Sequence, residues 1–153
     1  MIAVAVPWGA VPEALAALGP AEGKIIWDCT NPLKPDLSGL LVEGESSGGE
    51  EIARLLPAAT VVKGIPPFAE LMHADDPTVG GTAPGLFVAG DDAAAKAVVT
   101  DLLEALPARV TDAGPLMAAR LIEPAMLLLV QLAYLRGLGP RIALSLQRDR
   151  PGR

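Results

Sequence analysis

Few side chains in this sequence could do chemistry, and they are scattered along the chain. His73 is the only histidine and stands beside Asp75 and Asp76, where it could contact a substrate or a cofactor. A solvated loop histidine is the simpler interpretation. Cys29 is the only cysteine, and its place at the end of an apolar run predicts a small core residue rather than a reactive thiol. A single cysteine forms no intramolecular disulfide and is typical of a reducing cytoplasm.

Acidic pairs and one possible ion pair are the other polar features. Neither the Asp75-Asp76 pair nor the Asp91-Asp92 pair has the ligand spacing of a calcium loop, so no metal site is predicted. Asp91-Asp92 is better explained as a helix cap. Arg120 and Glu123 lie three residues apart, on one face of a helix, and could pair. The simpler interpretation is one tolerated ion pair; the alternative is that both residues anchor the helix against another domain or a second subunit.

Composition limits the class of partner. Apolar residues make up 51% of the 153 residues and charged residues 20%, which is typical of a globular domain with a hydrophobic core. A net charge of -6 argues against nucleic acid as a partner, because phosphate backbones need a basic surface. Arg141, Arg148, Arg150 and Arg153 form a basic tail, for which a solvated end is the simpler interpretation.

Membrane insertion is not predicted. The first residues lack the basic and long apolar regions of a signal peptide. The longest apolar stretch, residues 124–135, contains Gln131 and follows Arg120 and Glu123, so it is too short and too interrupted to span a bilayer comfortably. A buried helix in a cytoplasmic protein is the better prediction.

Short apolar runs alternate with segments of helical spacing, and this alternation predicts an α/β fold. Strands are predicted over residues 2–6, 24–28, 60–63, 86–89 and 109–111, and helices over 11–18, 50–56, 92–106 and 115–136. The first strand has no polar face, so we expect it to be covered on both sides. Residues 64–85 are rich in Pro and Gly and are predicted to form a long loop. Right-handed crossovers would produce a mostly parallel sheet with helices on both faces.

The pattern lacks the glycine-rich turn with which a dinucleotide-binding fold opens. No G-x-G-x-x-G occurs in the sequence, and the lone pair Gly137 and Gly139 follows a helix, as C-cap glycines do. The chain therefore has the pattern of the second half of such a fold. We expect residues 1–112 to form the carboxyl-terminal part of a truncated Rossmann-like domain, residues 113–147 a helical segment and residues 148–153 a basic tail.

Several segments, in order and at matching spacing, resemble the NADP oxidoreductase, coenzyme F-420-dependent family. The resemblance runs from Val4 to about Leu146, and each piece alone is weak. It is carried by Ala5-Val6-Pro7-Trp8, Gly23-Lys24-Ile25-Ile26-Trp27-Asp28-Cys29-Thr30-Asn31-Pro32-Leu33, Glu50-Glu51-Ile52-Ala53, Val61-Val62-Lys63, Phe87-Val88-Ala89-Gly90-Asp91-Asp92, Asp112-Ala113-Gly114-Pro115-Leu116 and Ala119-Arg120-Leu121-Ile122-Glu123-Pro124.

The resemblance implies hydride transfer between NADP(H) and coenzyme F-420 or a related acceptor, at the carboxyl ends of the parallel strands. It puts Val6, Pro7 and Trp8 beside the cofactor, and Asn31, Pro32 and Leu33 on the nicotinamide side. Hydride transfer between two bound rings needs no side-chain nucleophile, so no catalytic residue is predicted. Two departures from the family are the absent glycine-rich unit and a shorter stretch after Val61-Val62-Lys63, and we expect them to impair cofactor binding.

Structural roles remain open for the same residues. Pro7 and Trp8 could simply end a strand and fill the core, and Asn31 with Pro32 forms turns in any fold. The alternative to an enzyme is a non-catalytic truncated fragment or a dimerising scaffold. The segment from Leu121 to Leu135 is apolar nearly all round, which favours a homodimer.

Overall fold

A five-stranded sheet forms the centre of the molecule, in a computed structural model that describes residues 1–149. The strands follow chain order across the sheet: β1 (Ile2–Val4), β2 (Ile25–Asp28), β3 (Thr60–Gly64), β4 (Gly85–Gly90) and β5 (Arg109–Asp112). Neighbouring strands are parallel except for β3 and β4. The predicted α/β class and mostly parallel sheet are confirmed.

All helices but the shortest lie where the spacing and the caps predict them. They are α1 (Val11–Leu18), α2 (Gly48–Leu55), α3 (Ala69–Met72), α4 (Ala93–Glu104) and α5 (Ala119–Val130), and α5 continues through a π turn, Gln131–Leu135. Ser47 caps α2 by accepting from the Glu50 amide, and Asp92 caps α4 by accepting from the Ala95 amide at 2.7 Å. These side chains satisfy amide groups that a helix start otherwise leaves without partners.

Two separate cores cover the two faces of the sheet. Val4, Ile26 and Val61 point to one face, where they pack with the apolar residues of α1 and α2. Val62, Leu86 and Val88 pack on the opposite face with α4. Because successive strand residues point to opposite faces, the apolar runs of β2 and β3 supply both cores.

Three expectations about elements need correction. The first strand ends at Val4, and Ala3 is exposed, so β1 is covered on only one face. The predicted loop over residues 64–85 contains the one-turn helix α3 and a bridge between Val79 and Thr82. This connection has no crossover helix of useful length, and β4 accordingly runs antiparallel to β3, a pairing that needs no such crossover.

The carboxyl-terminal helix is only partly buried. The stretch Leu116–Leu135, with a mean hydropathy of 1.6, is long and apolar enough by composition to cross a membrane, and a third of it is buried in the protein. Leu121 is 76% exposed, so the prediction of a buried helix holds for one face only. On that face Arg120 and Glu123 pair with residues of α2 and β3, as in a helix that packs on a globular domain.

Candidate functional site at the carboxyl ends of the parallel strands

The carboxyl ends of β1, β2 and β3 lie at one edge of the sheet, because these strands are parallel. The six predicted residues follow the first two strands. Trp8 and Pro32 both border Gly48 at the start of α2: a Cβ atom at Gly48 would lie 3.0 Å from the indole and 3.2 Å from the proline ring. The structure therefore brings Trp8 and Pro32 together around one helix start.

The other four predicted residues surround this contact less closely. Val6 packs against the core beneath α1, and Pro7 is exposed. Leu33 forms a bridge with Leu40 in the loop before α2. Asn31 is half-buried, and its Nδ2 donates to the backbone oxygen of Glu123 at 3.2 Å.

Three fully buried charged residues, Asp28, Lys63 and Glu123, form a network beneath this edge. Lys63 Nζ donates to Asp28 Oδ2 at 2.9 Å and to the Thr30 backbone oxygen at 2.6 Å, and it forms an ion pair with Glu123 Oε1 at 2.7 Å. Two hydrogen-bond acceptors and a second carboxylate therefore surround the buried ammonium group and offset the cost of burying its charge. Asp28 Oδ1 also accepts from the Thr30 amide at 2.8 Å and from its hydroxyl at 2.7 Å.

Glu123 also occupies the amino terminus of α2. Its Oε2 accepts from the Gly48 amide at 2.8 Å, and its Oε1 accepts from the Gly49 amide at 3.1 Å. A helix start with free amide groups binds anions well. Here the anion is the protein's own carboxylate, and the absence of a side chain at Gly48 leaves room for it.

A second contact joins the same two helices. Arg120 donates to Glu50 through Nε at 2.8 Å and through Nη2 at 2.7 Å. These hydrogen bonds hold the pKa of the Glu50 carboxyl below its ordinary value. The expected pairing of Arg120 with Glu123 is wrong: each residue reaches a different partner, and both anchor α5 to the sheet domain.

The remaining polar candidates have structural surroundings. Burial, and secondarily the Asp28 carboxylate, raises the pKa of the Cys29 thiol to about 12 against the opposing effect of Lys63. His73 is exposed at the end of α3. Asp91 accepts from the Leu116 amide at 2.9 Å. Arg141 donates to the backbone of Asp76 and Thr78.

The predicted tail and a wide cleft lie elsewhere. Arg148 lines a cleft of about 620 Å³ beside β5, together with Arg109. None of the six predicted residues lines that cleft. A search for a site by cavity volume and a search by the residues at the strand ends therefore identify different parts of the molecule. The strand ends carry the stronger argument, because ligands of open α/β sheets bind outside the carboxyl ends of the strands. Arg150 and Arg153 fall outside the described residues 1–149.

Sequence reasoning missed the charged network, although one signal for it was present. Lys63 has the same strand parity as Val61, and Asp28 has the same parity as Ile26, so both charges point into a core face. A lysine and an aspartate at adjacent ends of two predicted core strands could have suggested a buried pair. Glu123 could not be found this way, because it reaches them from a helix 60 residues further along the chain.

Comparison with known proteins gives structural matches. No family model and no curated protein matches the chain. A solved structure from Arthrobacter sp. FB24, provisionally named an F420-dependent NADP-reductase, is 33% identical with a TM-score of 0.84, and the match covers 97% of this chain and 69% of that one.

Two further structures share the fold at lower identity. A Sinorhizobium meliloti protein named only as hypothetical is 23% identical with a TM-score of 0.66, over 96% of this chain and 66% of that one. An imine reductase from Aspergillus terreus, in complex with NADPH4 and dibenz[c,e]azepine, is 22% identical with a TM-score of 0.54, over 87% and 41%. The fold is thus the Rossmann-like fold of NADP-dependent oxidoreductases, and by its likeness to the Arthrobacter protein the chain belongs to the NADP-reductase-like family.

Proposed function

We propose that this chain belongs to an oxidoreductase that transfers a hydride between NADP(H) and coenzyme F-420 or a related acceptor. The observation that carries the proposal is the likeness to the Arthrobacter protein, which extends over 97% of this chain. The proposed site is the carboxyl edge of β1 and β2, with Val6, Pro7, Trp8, Asn31, Pro32 and Leu33 as the cofactor-binding residues.

The chemistry suits this edge because the protein has only to hold two rings in contact and exclude water. Trp8 and Pro32 supply flat, apolar surfaces that meet at Gly48. Asn31 Oδ1 is buried and has no hydrogen-bond partner among residues 1–149, so it could accept from a donor on a ligand. These features fit the nicotinamide end of NADP(H).

The start of α2 does not fit the phosphate end of the cofactor. Its first two amide groups already bind the Glu123 carboxylate, and a phosphate there would meet a buried negative charge. Phosphate contacts must therefore come from residues other than Gly48 and Gly49. We expect the affinity of these 153 residues for NADPH to be low.

Titration with NADPH tests the proposal, with the change in nicotinamide fluorescence as the signal. We expect saturable binding that Trp8→Leu weakens and Trp27→Leu does not, because Trp27 packs on the opposite face and donates to the Gly64 oxygen. Circular dichroism checks that both variants are folded. Loss of the visible absorbance of coenzyme F-420 with NADPH present would then identify the acceptor. Absence of saturable binding at millimolar NADPH contradicts catalysis by this chain.

A non-catalytic dimerising scaffold is the second candidate. The observation in its favour is the row of exposed apolar side chains on the carboxyl-terminal helix, Met117, Leu121, Leu128 and Leu135, each more than half exposed. Exposed apolar patches of this kind mark interaction surfaces. We propose a cytoplasmic homodimer for either function; a stable monomer by light scattering would count against the scaffold.

A further inference from the structure

Among residues 1–149, Asn31 is the one residue at this edge whose side-chain amide has a partner for its nitrogen but none for its oxygen. Its Nδ2 donates to the Glu123 backbone oxygen at 3.2 Å, while Oδ1 is buried without a hydrogen-bond partner in the described part of the chain. The orientation of the amide is fixed, because turning it over would place Oδ1 against another carbonyl oxygen. A buried acceptor without a donor is costly and calls for an explanation.

Lys63 ties together the two points that hold Asn31. Its ammonium group binds the Thr30 oxygen, one residue before Asn31, and the carboxylate of Glu123, whose own backbone oxygen receives the Asn31 amide. Asp28 fixes Thr30 from the other side. The loop that contains Asn31 is thereby held on both sides of this residue. The residues that hold it, Asp28, Thr30, Lys63 and Glu123, are buried and present no exposed group to a ligand.

We infer that Glu123, with Lys63, is a positioning residue that holds Asn31 so that its Oδ1 accepts a hydrogen bond from an N–H group of the bound ligand. The inference rests on the proposed function, in which that group is the carboxamide of the nicotinamide. A carboxamide carries both an N–H group, which donates a hydrogen bond, and a carbonyl, which accepts one. Because Asn31 Oδ1 is an acceptor without a partner, it would bind the N–H group of the carboxamide. Asn31 as a whole is half-buried, so part of the residue reaches the surface at which the ligand is proposed to bind.

A matched pair of ligands tests the hydrogen bond on the unaltered protein. NADPH is compared with its 3-acetylpyridine analogue, in which a methyl group replaces the amide nitrogen and the carbonyl is kept. Calorimetric titration should give a dissociation constant roughly tenfold lower for NADPH, the value of one buried hydrogen bond whose acceptor is otherwise unsatisfied. Equal affinities overturn the inference and leave the proposed function standing. Binding of neither nucleotide overturns both.

Variants separate positioning from general stability. Asn31→Leu should bind both nucleotides equally, and Glu123→Gln should reduce the preference for NADPH and shift the Asn31 side-chain amide signals in a nitrogen–proton NMR spectrum. Glu50→Gln is the control, because it breaks the other contact between α2 and α5 without touching Asn31. If Glu123→Gln does not fold, Glu123→Asp keeps the charge but shortens its reach. An unchanged preference in the folded Glu123 variant contradicts the positioning role.

Discussion

Among residues 1–149, Lys63 is the largest side chain that is completely shielded from solvent, and its charge is matched by Asp28 and Glu123. The Lys63→Met substitution keeps the approximate shape but leaves two buried carboxylates facing each other. Breaking a buried charge network by removing one member typically costs about 3–5 kcal/mol, so we expect a loss of this size in the free energy of unfolding. Urea denaturation followed by tryptophan fluorescence measures it.

Lys96→Met is the matched control for that substitution. Lys96 also pairs with an aspartate at 2.9 Å, but its partner Asp112 has a side chain that is 58% exposed. Surface pairs of this kind contribute at most about 1 kcal/mol. Equal losses in the two variants would mean that burial does not set the importance of the Lys63 network.

Cys29 should be unreactive in the folded protein. Burial is the main cause that raises its pKa from an ordinary 9.0 to about 12. At pH 8 the thiolate fraction, which is the reactive form, is then smaller by about a thousandfold than for a free cysteine. We expect a disulfide reagent to label the native protein far more slowly than the urea-unfolded protein; comparable rates would contradict the raised pKa of the thiol.

At the residue scale, the sequence predicted the roles of single residues better than it predicted which residues contact each other. It identified Asp92 as a cap, because that prediction depends on neighbours along the chain. The prediction that Cys29 is a core residue holds only in part, because Cys29 is half-buried and lies outside both cores. Arg120 was paired with Glu123 because the two are also close along the chain, and that was wrong. Their real partners, Glu50 and Lys63, lie 60 or more residues away, and no local spacing encodes such a contact.

At the scale of elements, the start of α2 depends on having glycine where Trp8, Pro32 and Glu123 meet. A Cβ atom at Gly48 would lie 3.0 to 3.2 Å from all three. Gly48→Ala should therefore lower the free energy of unfolding by about 1–3 kcal/mol, the usual cost of overpacking. The change should also alter Trp8 fluorescence.

Gly9→Ala serves as the control for this substitution, since no atom of the described residues lies within 4 Å of a Cβ atom there. Gly49→Ala gives an intermediate test, with its nearest atoms at 3.4 Å on Ala119 and Leu116. The expected order of destabilisation is Gly48, then Gly49, then Gly9. A different order would show that the helix start can relax around an added methyl group.

The contact between α2 and α5 should weaken in acid. Hydrogen bonds from Arg120 lower the pKa of Glu50 in the folded protein, so its stabilising contribution is complete above the ordinary value of 4.5. The contribution is lost as the pH falls below 4.5 through the lowered pKa. The difference in unfolding free energy between the unaltered protein and Glu50→Gln should be constant near pH 7 and shrink at lower pH. The exposed Glu104→Gln variant controls for general acid effects.

Helices and strands were predictable where the spacing of apolar residues followed a single helical or strand period. The five strands and four of the helices lie within a few residues of their predicted bounds, because apolar runs and caps are local signals. The helix α3 was missed because four residues are too few to show a helical period. The direction of β4 was equally hidden, since it depends on how residues 65–84 cross the end of the sheet.

At the scale of the whole molecule, the two outer strands of the sheet border different surface features. The β1 end carries the proposed nicotinamide-binding residues and an unpaired outer edge among residues 1–149, and the β5 end carries the cleft of about 620 Å³. The charged network lies between them at the carboxyl ends of β2 and β3, and it fastens α5 to both. The position of α5 therefore links the proposed ligand site to the apolar surface that the helix presents outward.

That apolar surface predicts self-association. Met117, Leu121 and Leu128 are spaced four and seven residues apart, which places them on one side of the helix, and Leu121 is 76% exposed. Burying such a row against a second copy would stabilise a homodimer through the hydrophobic effect. Sedimentation equilibrium at micromolar concentration should give a dimer, and Leu121→Glu should give a monomer of unchanged fold. Leu102→Glu, at a 40% exposed leucine of α4, should remain a dimer. A monomeric unaltered protein would contradict this role of α5, and a dimeric Leu121→Glu variant would move the interface to another surface.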